Sequence, residues 1–279
     1  MAADPNFTHL APAYLTLLIV GGQTGLPIII ATLLISKKVT RHPTLINFFC
    51  TWVIYSVTYC IFLYSGQGDQ QPPSTLCQIQ SAAIHGAAPM CVVATLTLVI
   101  QASTEYLNTF REPPAQQMTS PRSRWPKTLR LRIMLAMPYV IFAAFVLLTA
   151  FLQRQKGVDT GGWNGLYCTL RGSTIIRYAV PAFCTAILAA IVGFEVAIAI
   201  RYFRMQRTIS DSFPLAETKK SRAMVIRVLA FSLYTLVTLS AGVLFLSGST
   251  LAWPYMVQAA LPLSAFVVFG AQKVAYTLF

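Results

Sequence analysis

Seven apolar stretches, each near the length of a membrane-spanning helix, follow one another along this chain of 279 residues. A helix crosses a hydrocarbon core of about 30 Å in roughly 20 residues, so each stretch is long enough to span a bilayer. The sequence therefore predicts an all-α polytopic membrane protein, a single seven-helix bundle over residues 1–279, with helices at about 14–35, 44–64, 77–107, 133–152, 175–200, 223–247 and 253–270.

The composition agrees with a lipid environment. Hydrophobic residues make up 56% of the chain and charged residues only 10%, which is outside the usual range of soluble domains. The formal net charge of +13 is typical of nucleic-acid binders, but here the basic residues lie between apolar stretches instead of covering a soluble face. The bilayer is therefore the expected partner, and nucleic acid is not.

The basic residues also indicate which way the bundle faces, because Lys and Arg in short loops are retained on the cytoplasmic side during insertion. Of the 21 Lys and Arg residues, all but four follow the first, third or fifth span or lie near the inner ends of the sixth and seventh spans. The four exceptions are Arg154, Lys156, Arg171 and Arg177. This pattern predicts an extracellular N-terminus, a cytoplasmic C-terminus and a plasma-membrane location. The sequon Asn6-Phe7-Thr8 agrees, since glycosylation of Asn6 requires a lumenal N-terminus.

Two of the six cysteines are placed to meet in an oxidising compartment. Cys77 opens the third span and Cys168 lies in the second outer loop, whereas Cys50, Cys60, Cys91 and Cys184 fall within spans. A disulfide between Cys77 and Cys168 is predicted, against the alternative of two free thiols. Such a bond would restrict the second outer loop across the bundle.

Seven helices, an outer N-terminus and this cysteine pair together resemble the G-protein-coupled receptor superfamily over nearly the whole chain. The stretches Arg41–Phe49 and Val268–Lys273 resemble receptor-like proteins of fungi, in particular basidiomycetes. Ser103-Thr104-Glu105-Tyr106 has no Arg where rhodopsin-like receptors carry one, and the sixth and seventh spans lack the motifs of that class. The chain resembles the fungal nutrient-sensing, cyclic-AMP-receptor-like or secretin-like groups more than it resembles the rhodopsin-like class.

The resemblance implies a receptor that senses an extracellular small molecule and signals through a cytoplasmic heterotrimeric G-protein. His85 is the first candidate for ligand contact, because it lies eight residues beyond Cys77, about 12 Å into the membrane. An interhelical hydrogen bond is the alternative role for this residue. The other ligand-contact candidates, at comparable depth or above it, are Tyr59, Trp163, Arg177, Tyr178, Tyr255 and Gln258.

The positions of the charged residues limit the class of ligand that is expected and suggest a switch on the cytoplasmic side. The outer halves of the spans contain no Asp or Glu to offset a buried ammonium, which favours a neutral or weakly anionic ligand near Arg177. On the cytoplasmic side, Glu105 and Arg227 are candidates for a pair that holds the inner face closed, against the alternative of two solvated charges. Glu195, within the fifth span, is expected to pair with a basic neighbour or to be protonated.

Three other classes of function compete with a receptor. A small-solute transporter or channel is the main alternative, although the sequence shows no internal repeat and little charge at mid-membrane. A retinal protein needs a Lys in the middle of the seventh helix, and Lys273 lies beyond it. A membrane enzyme needs clustered acids or histidines, whereas His9, His42 and His85 are scattered. We therefore expect no catalytic activity, no bound metal and no cofactor.

Overall fold

A computed structural model describes residues 7–35, 43–64, 74–111, 127–155, 157–162, 165–212, 233–244 and 251–278. Nearly all of these residues are helical. A 3₁₀ turn (Thr8–Leu10), helix α1 (Ala11–Leu18), a π-helical segment (Ile19–Gly25) and helix α2 (Leu26–Ile35) form one continuous rod. The remaining helices are α3 (Pro43–Tyr64), α4 (Ser74–Arg111), α5 (Lys127–Leu152), α6 (Thr174–Ser212), α7 (described over Leu233–Leu244) and α8 (Trp253–Leu278).

Five of the seven predicted spans have, in the structure, the length and hydropathy that a membrane-crossing helix requires. The predicted sixth and seventh spans coincide with shorter apolar helices in the described part of the chain, Leu233–Leu244 and Trp253–Val268. The protein is therefore a polytopic helical membrane protein. The five longer segments are Thr8–Ile35, Pro43–Phe62, Thr75–Gln101, Thr128–Leu152 and Thr174–Ile200.

Several helices extend past the predicted ends. Helix α5 begins at Lys127 and not near 133, α6 continues to Ser212 and not 200, and α8 continues to Leu278 and not 270. Hydropathy marks only the part of a helix that lies in hydrocarbon, whereas backbone hydrogen bonding continues through polar and basic flanks. The predicted ends therefore describe the apolar segments better than the helices.

Helix α4 occupies the centre of the bundle and packs against α3, α5 and α6. Its apolar segment is the most buried of the five, whereas α5 and α6 expose large hydrophobic side chains such as Leu147 and Phe151. In a membrane protein such side chains face lipid. One core cluster joins the first rod, α3, α4 and α8, and a second lies between α4 and α6.

Three glycines of the π-helical segment allow unusually close packing. A Cβ on Gly21 would overlap the backbone of Leu263 in α8, and one on Gly22 would overlap the side chain of Ser56 in α3. A Cβ on Gly25 would meet the ring of Phe266. Small residues let membrane helices approach closely where van der Waals contact is the main driving force. The first rod is therefore held in direct contact with α3 and α8.

A short antiparallel hairpin lies between α5 and α6. Strands β1 (Asp159–Gly161) and β2 (Thr169–Arg171) pair with Asp159 opposite Arg171, and both strands contact α4. Gly157 and Gly172 flank the hairpin with φ of +85° and +92°, backbone that favours glycine. The sequence analysis did not predict these strands.

Candidate functional site

A cluster of four tyrosines lies where the first rod, α3 and the loop after β1 meet. The ring centroid of Tyr59 is 4.5 Å from that of Tyr55, 5.1 Å from that of Tyr167 and 6.4 Å from that of Tyr14. The rings of Tyr14 and Tyr167 are 6.2 Å apart. All four side chains are buried. We call Tyr14, Tyr55, Tyr59 and Tyr167 the tyrosine cluster.

Hydrogen bonds join the tyrosine cluster to α8. The Gln258 amide donates to the Tyr59 hydroxyl at 2.7 Å, and the Tyr55 hydroxyl donates to the backbone carbonyl of Gln258 at 3.3 Å. Tyr255, one turn earlier on α8, packs its ring 5.3 Å from that of Phe7. The structure thus brings together three predicted ligand residues, Tyr59, Tyr255 and Gln258.

Among the side chains of the tyrosine cluster and Gln258, two polar atoms are buried and have no hydrogen-bond partner in the described part of the chain. They are the hydroxyl oxygen of Tyr14 and the side-chain oxygen of Gln258. The Tyr14 ring packs against the rings of Tyr59 and Tyr167. A buried polar group left unpaired costs roughly 1–3 kcal/mol, so such atoms are suited to a polar group that is not part of the fold. The described fold therefore leaves one hydroxyl donor and one amide acceptor of this region unused.

Two kinds of bond fix the loop between α5 and α6 over the tyrosine cluster. Cys168 forms a disulfide with Cys77 of α4, with Cα atoms 5.3 Å apart, in agreement with the predicted pairing. The backbone N–H of Cys168 also donates to the side-chain oxygen of Gln80 at 3.2 Å. The amide nitrogen of the fully buried Gln80 donates in turn to the carbonyls of Thr58 and Tyr59 at 3.3 and 3.2 Å. Tyr167, next to Cys168, is thereby held against Tyr59.

The described polar contact of His85 lies within its own helix. Its Nδ1 lies 2.6 Å from the carbonyl oxygen of Ser81, one turn earlier on α4 itself. Nδ1 therefore carries the proton and donates within the helix, since a carbonyl can only accept. Among the described residues, no hydrogen bond or ring contact joins His85 to the tyrosine cluster.

The other predicted ligand residues do not join this site. Arg177 and Tyr178 are exposed on α6, with the Arg177 guanidinium 5.9 Å from the centroid of the neighbouring Tyr178 ring. Tyr178 exposes 49% of its surface. Trp163 lies outside the described residues. The described side chains of the site, those of the tyrosine cluster, Tyr255 and Gln258, carry no formal charge at neutral pH.

The predicted cytoplasmic pair and the glycosylation site are not described. Arg227 and Asn6 lie outside the described residues, and of Glu105 only the backbone position in α4 is described. The Glu105–Arg227 pair and the glycosylation of Asn6 therefore remain predictions. Glu195 of α6 is buried, and its Oε2 accepts a hydrogen bond of 3.1 Å from the Thr235 hydroxyl of α7. This bond links two helices inside the membrane and was not foreseen.

Sequence reasoning missed Tyr14, Tyr55 and Gln80. A signal was present for Tyr55, because residues four apart share one face of a helix and Tyr55 lies four before Tyr59. Trp52, one turn earlier again, extends the same face, with its ring 5.1 Å from that of Tyr55. Gln80 and Tyr14 gave no such signal, since their roles depend on contacts between distant segments.

The fold and the site together define a polytopic α-helical membrane protein with a buried, uncharged tyrosine cluster beneath a disulfide-bonded loop. No protein-family model matches the chain, and no curated protein matches its sequence. Within the described part of the chain, no group of three His, Cys, Asp or Glu residues is placed to hold a metal ion.

Proposed function

We propose that this protein is a G-protein-coupled-receptor-like membrane receptor that binds a neutral small molecule in the tyrosine cluster and signals through a cytoplasmic heterotrimeric G-protein. The single observation that carries the proposal is the pair of buried polar atoms, the Tyr14 hydroxyl and the Gln258 side-chain oxygen, that lack partners among the described residues. They lie on the first rod and on α8, so one ligand can bridge two helices.

The ligand is proposed to be neutral, with an apolar or aromatic body and at least one hydroxyl, amide or carbonyl group. Tyrosine rings offer broad apolar surface, and their hydroxyls fix the orientation of a polar group. The weakly anionic option depended on Arg177, which is exposed on α6. No basic side chain among the described residues contacts the tyrosine cluster, so an anion would be left without a counter-charge.

A column of aromatic rings supports communication from this site to α7. The rings of Tyr59 and Tyr55 pack together, Tyr55 packs on Trp52 at 5.1 Å, and Trp52 packs on Tyr234 of α7 at 6.4 Å. A ligand shifts an equilibrium only through contacts that differ between two states. In this proposal the ligand repositions the Tyr59 and Tyr55 rings, and Trp52 transmits the displacement to Tyr234.

The proposed topology has seven spans, an extracellular N-terminus and a plasma-membrane location. The distribution of Lys and Arg supports it, as does the Cys77–Cys168 disulfide, which belongs in an oxidising compartment. Glycosidase treatment of the protein from a eukaryotic host tests the orientation. An Asn6→Gln variant that already migrates at the deglycosylated position supports an outer N-terminus, and an unglycosylated wild-type chain argues against it.

Nucleotide exchange is the direct test of function. Membranes containing the full chain and one G-protein α subunit at a time are screened with a library of neutral hydroxylated, amide and carbonyl compounds. A stimulating compound should lose potency roughly three- to tenfold in Tyr14→Phe, the effect of one hydrogen bond. Tyr178→Phe, the same change on an exposed tyrosine, should leave potency unchanged. Folded protein that responds to no compound with any α subunit contradicts the proposal.

Trp52→Leu separates binding from transmission. This variant should bind the stimulating compound with an affinity close to that of the wild type but should give less exchange, because it interrupts the aromatic column below the site. Equal loss of binding and exchange would show that Trp52 supports the site itself.

A small-solute transporter or channel is the second candidate. The observation that favours it is the π-helical segment Ile19–Gly25, because π-helical turns within helices frequently occur at functional sites. Uptake of radiolabelled library compounds into proteoliposomes separates the two functions. Saturable uptake without any effect on nucleotide exchange would favour the transporter.

A further inference from the structure

A groove of about 460 Å³ lies on the surface between α3 and α5, apart from the tyrosine cluster. It is at the ends where both helices begin, with Pro43 of α3 and Arg132 of α5 in its lining. Its apolar lining includes Ile46 and Leu135. Ile133 and Met137 of α5, beside the lining residues in sequence, are exposed as lipid-facing side chains are.

The polar groups of the groove are directed toward one another. The Tyr139 hydroxyl donates to the side-chain oxygen of Asn47 at 2.9 Å, and the Asn47 amide donates to the backbone carbonyl of Leu135 at 3.3 Å. With these groups paired, the lining presents mainly hydrocarbon. An occupant of this part of the groove is therefore apolar, as an acyl chain is.

Arg132 supplies a charge at one end of this apolar lining. It is exposed, and within the described residues it makes no ion pair or hydrogen bond. The first turn of α5 contains no acidic residue. Arg130, two residues earlier, differs because it donates to the Thr104 hydroxyl at 3.1 Å. An Arg near the end of a spanning helix extends its guanidinium to the level of the lipid headgroups.

We infer that this groove binds one anionic phospholipid, with an acyl chain along Ile46, Cys50 and Leu135 and the phosphate on Arg132. Charge complementarity selects the headgroup, because the described lining offers a cation and no acid. Basic pockets between membrane helices bind anionic headgroups in this manner. The site is independent of the proposed receptor function.

Native mass spectrometry of the purified, delipidated full chain tests the inference. The protein is titrated separately with dioleoyl phosphatidylserine, dioleoyl phosphatidylcholine and a sterol. The wild type should hold one phosphatidylserine in preference to phosphatidylcholine. Arg132→Gln should weaken phosphatidylserine binding about fivefold, the effect of one basic residue, and leave phosphatidylcholine unchanged.

Two further variants complete the test. Arg154→Gln makes the same charge change beyond the opposite end of α5 and should bind as the wild type does. Ala136→Phe, at an exposed lining position, should fill the groove and reduce the binding of both phospholipids, with its melting temperature as the check of folding. Equal phosphatidylserine and phosphatidylcholine binding, an unaltered preference in Arg132→Gln, or binding of the sterol alone would overturn the inference.

Discussion

The side-chain amide of Gln258 in α8 donates a hydrogen bond of 2.7 Å to the hydroxyl of Tyr59 in α3. The two partners are 199 positions apart in the sequence. Tyr55 donates to the carbonyl of the same glutamine, so two tyrosines one turn apart on α3 meet one residue of α8. This arrangement positions Gln258, whose side-chain oxygen is buried and has no hydrogen-bond partner among the described residues.

Removal of the Tyr59 hydroxyl should test that bond. Tyr59→Phe is expected to destabilise the protein by about 1 kcal/mol, because the ring contacts remain and one buried hydrogen bond is lost. A double-mutant cycle with Gln258→Leu should give a coupling energy of similar size, measured by unfolding in detergent. Tyr178→Phe, on an exposed side chain, should change stability by less than about 0.5 kcal/mol. Additive effects of the two variants would mean that the bond contributes nothing.

The Cys77–Cys168 disulfide should measurably stabilise the loop between α5 and α6. Cys77→Ser is expected to lower stability by about 2–5 kcal/mol, since the loop gains freedom in the unfolded chain. Cys168→Ser should cause the same loss, and the double variant no more than either single one. A reducing agent should lower the melting temperature of the wild type and leave that of Cys77→Ser unchanged. Cys50→Ser, outside the pair, should respond to reduction as the wild type does.

Gln80 should stabilise the loop at Cys168 as well as the packing of α4 on α3. Gln80→Leu leaves the buried Cys168 N–H without its acceptor, at a cost of roughly 1–3 kcal/mol. Hydrogen exchange followed by mass spectrometry should show faster exchange at residues 165–172. Gln80→Glu keeps an oxygen for the Cys168 N–H but loses the donor to Thr58 and Tyr59. Unaltered exchange in Gln80→Leu would show that the disulfide alone holds the loop.

Because the first rod packs closely against α8, an alanine at Gly21 should lower stability much more than an alanine at Gly193. Gly21→Ala should destabilise the protein by about 1–3 kcal/mol, because the added Cβ overlaps the backbone of Leu263 and a backbone shift is required. Gly193→Ala on α6 meets nothing within 4 Å and should be neutral or stabilising by up to about 1 kcal/mol. Thermal unfolding in the same detergent compares the two. A Gly21→Ala variant as stable as Gly193→Ala would contradict the packing.

The positions of the apolar helices could be predicted because hydropathy sums over many residues and needs no tertiary information. The hairpin could not, since its three-residue strands pair only through the fold around them. Depth in the membrane placed Tyr59 and Gln258, which the structure brings together, in one set with His85 and Tyr178, which lie apart from them, because depth does not say which way a side chain faces. Tyr14 and Tyr167 meet across segments distant in sequence, and no local pattern reports such a meeting.

Helices α4 and α6 continue well past their apolar segments. Both begin beside the disulfide-bonded hairpin, so both end at the opposite face of the membrane. The apolar part of α4 ends at Gln101 and the helix at Arg111, while α6 continues from Ile200 to Ser212. At 1.5 Å per residue these extensions are about 15 Å and 18 Å long. Helix α8 likewise continues past Val268 to Leu278, so all three helices are longer than the hydrocarbon core alone requires.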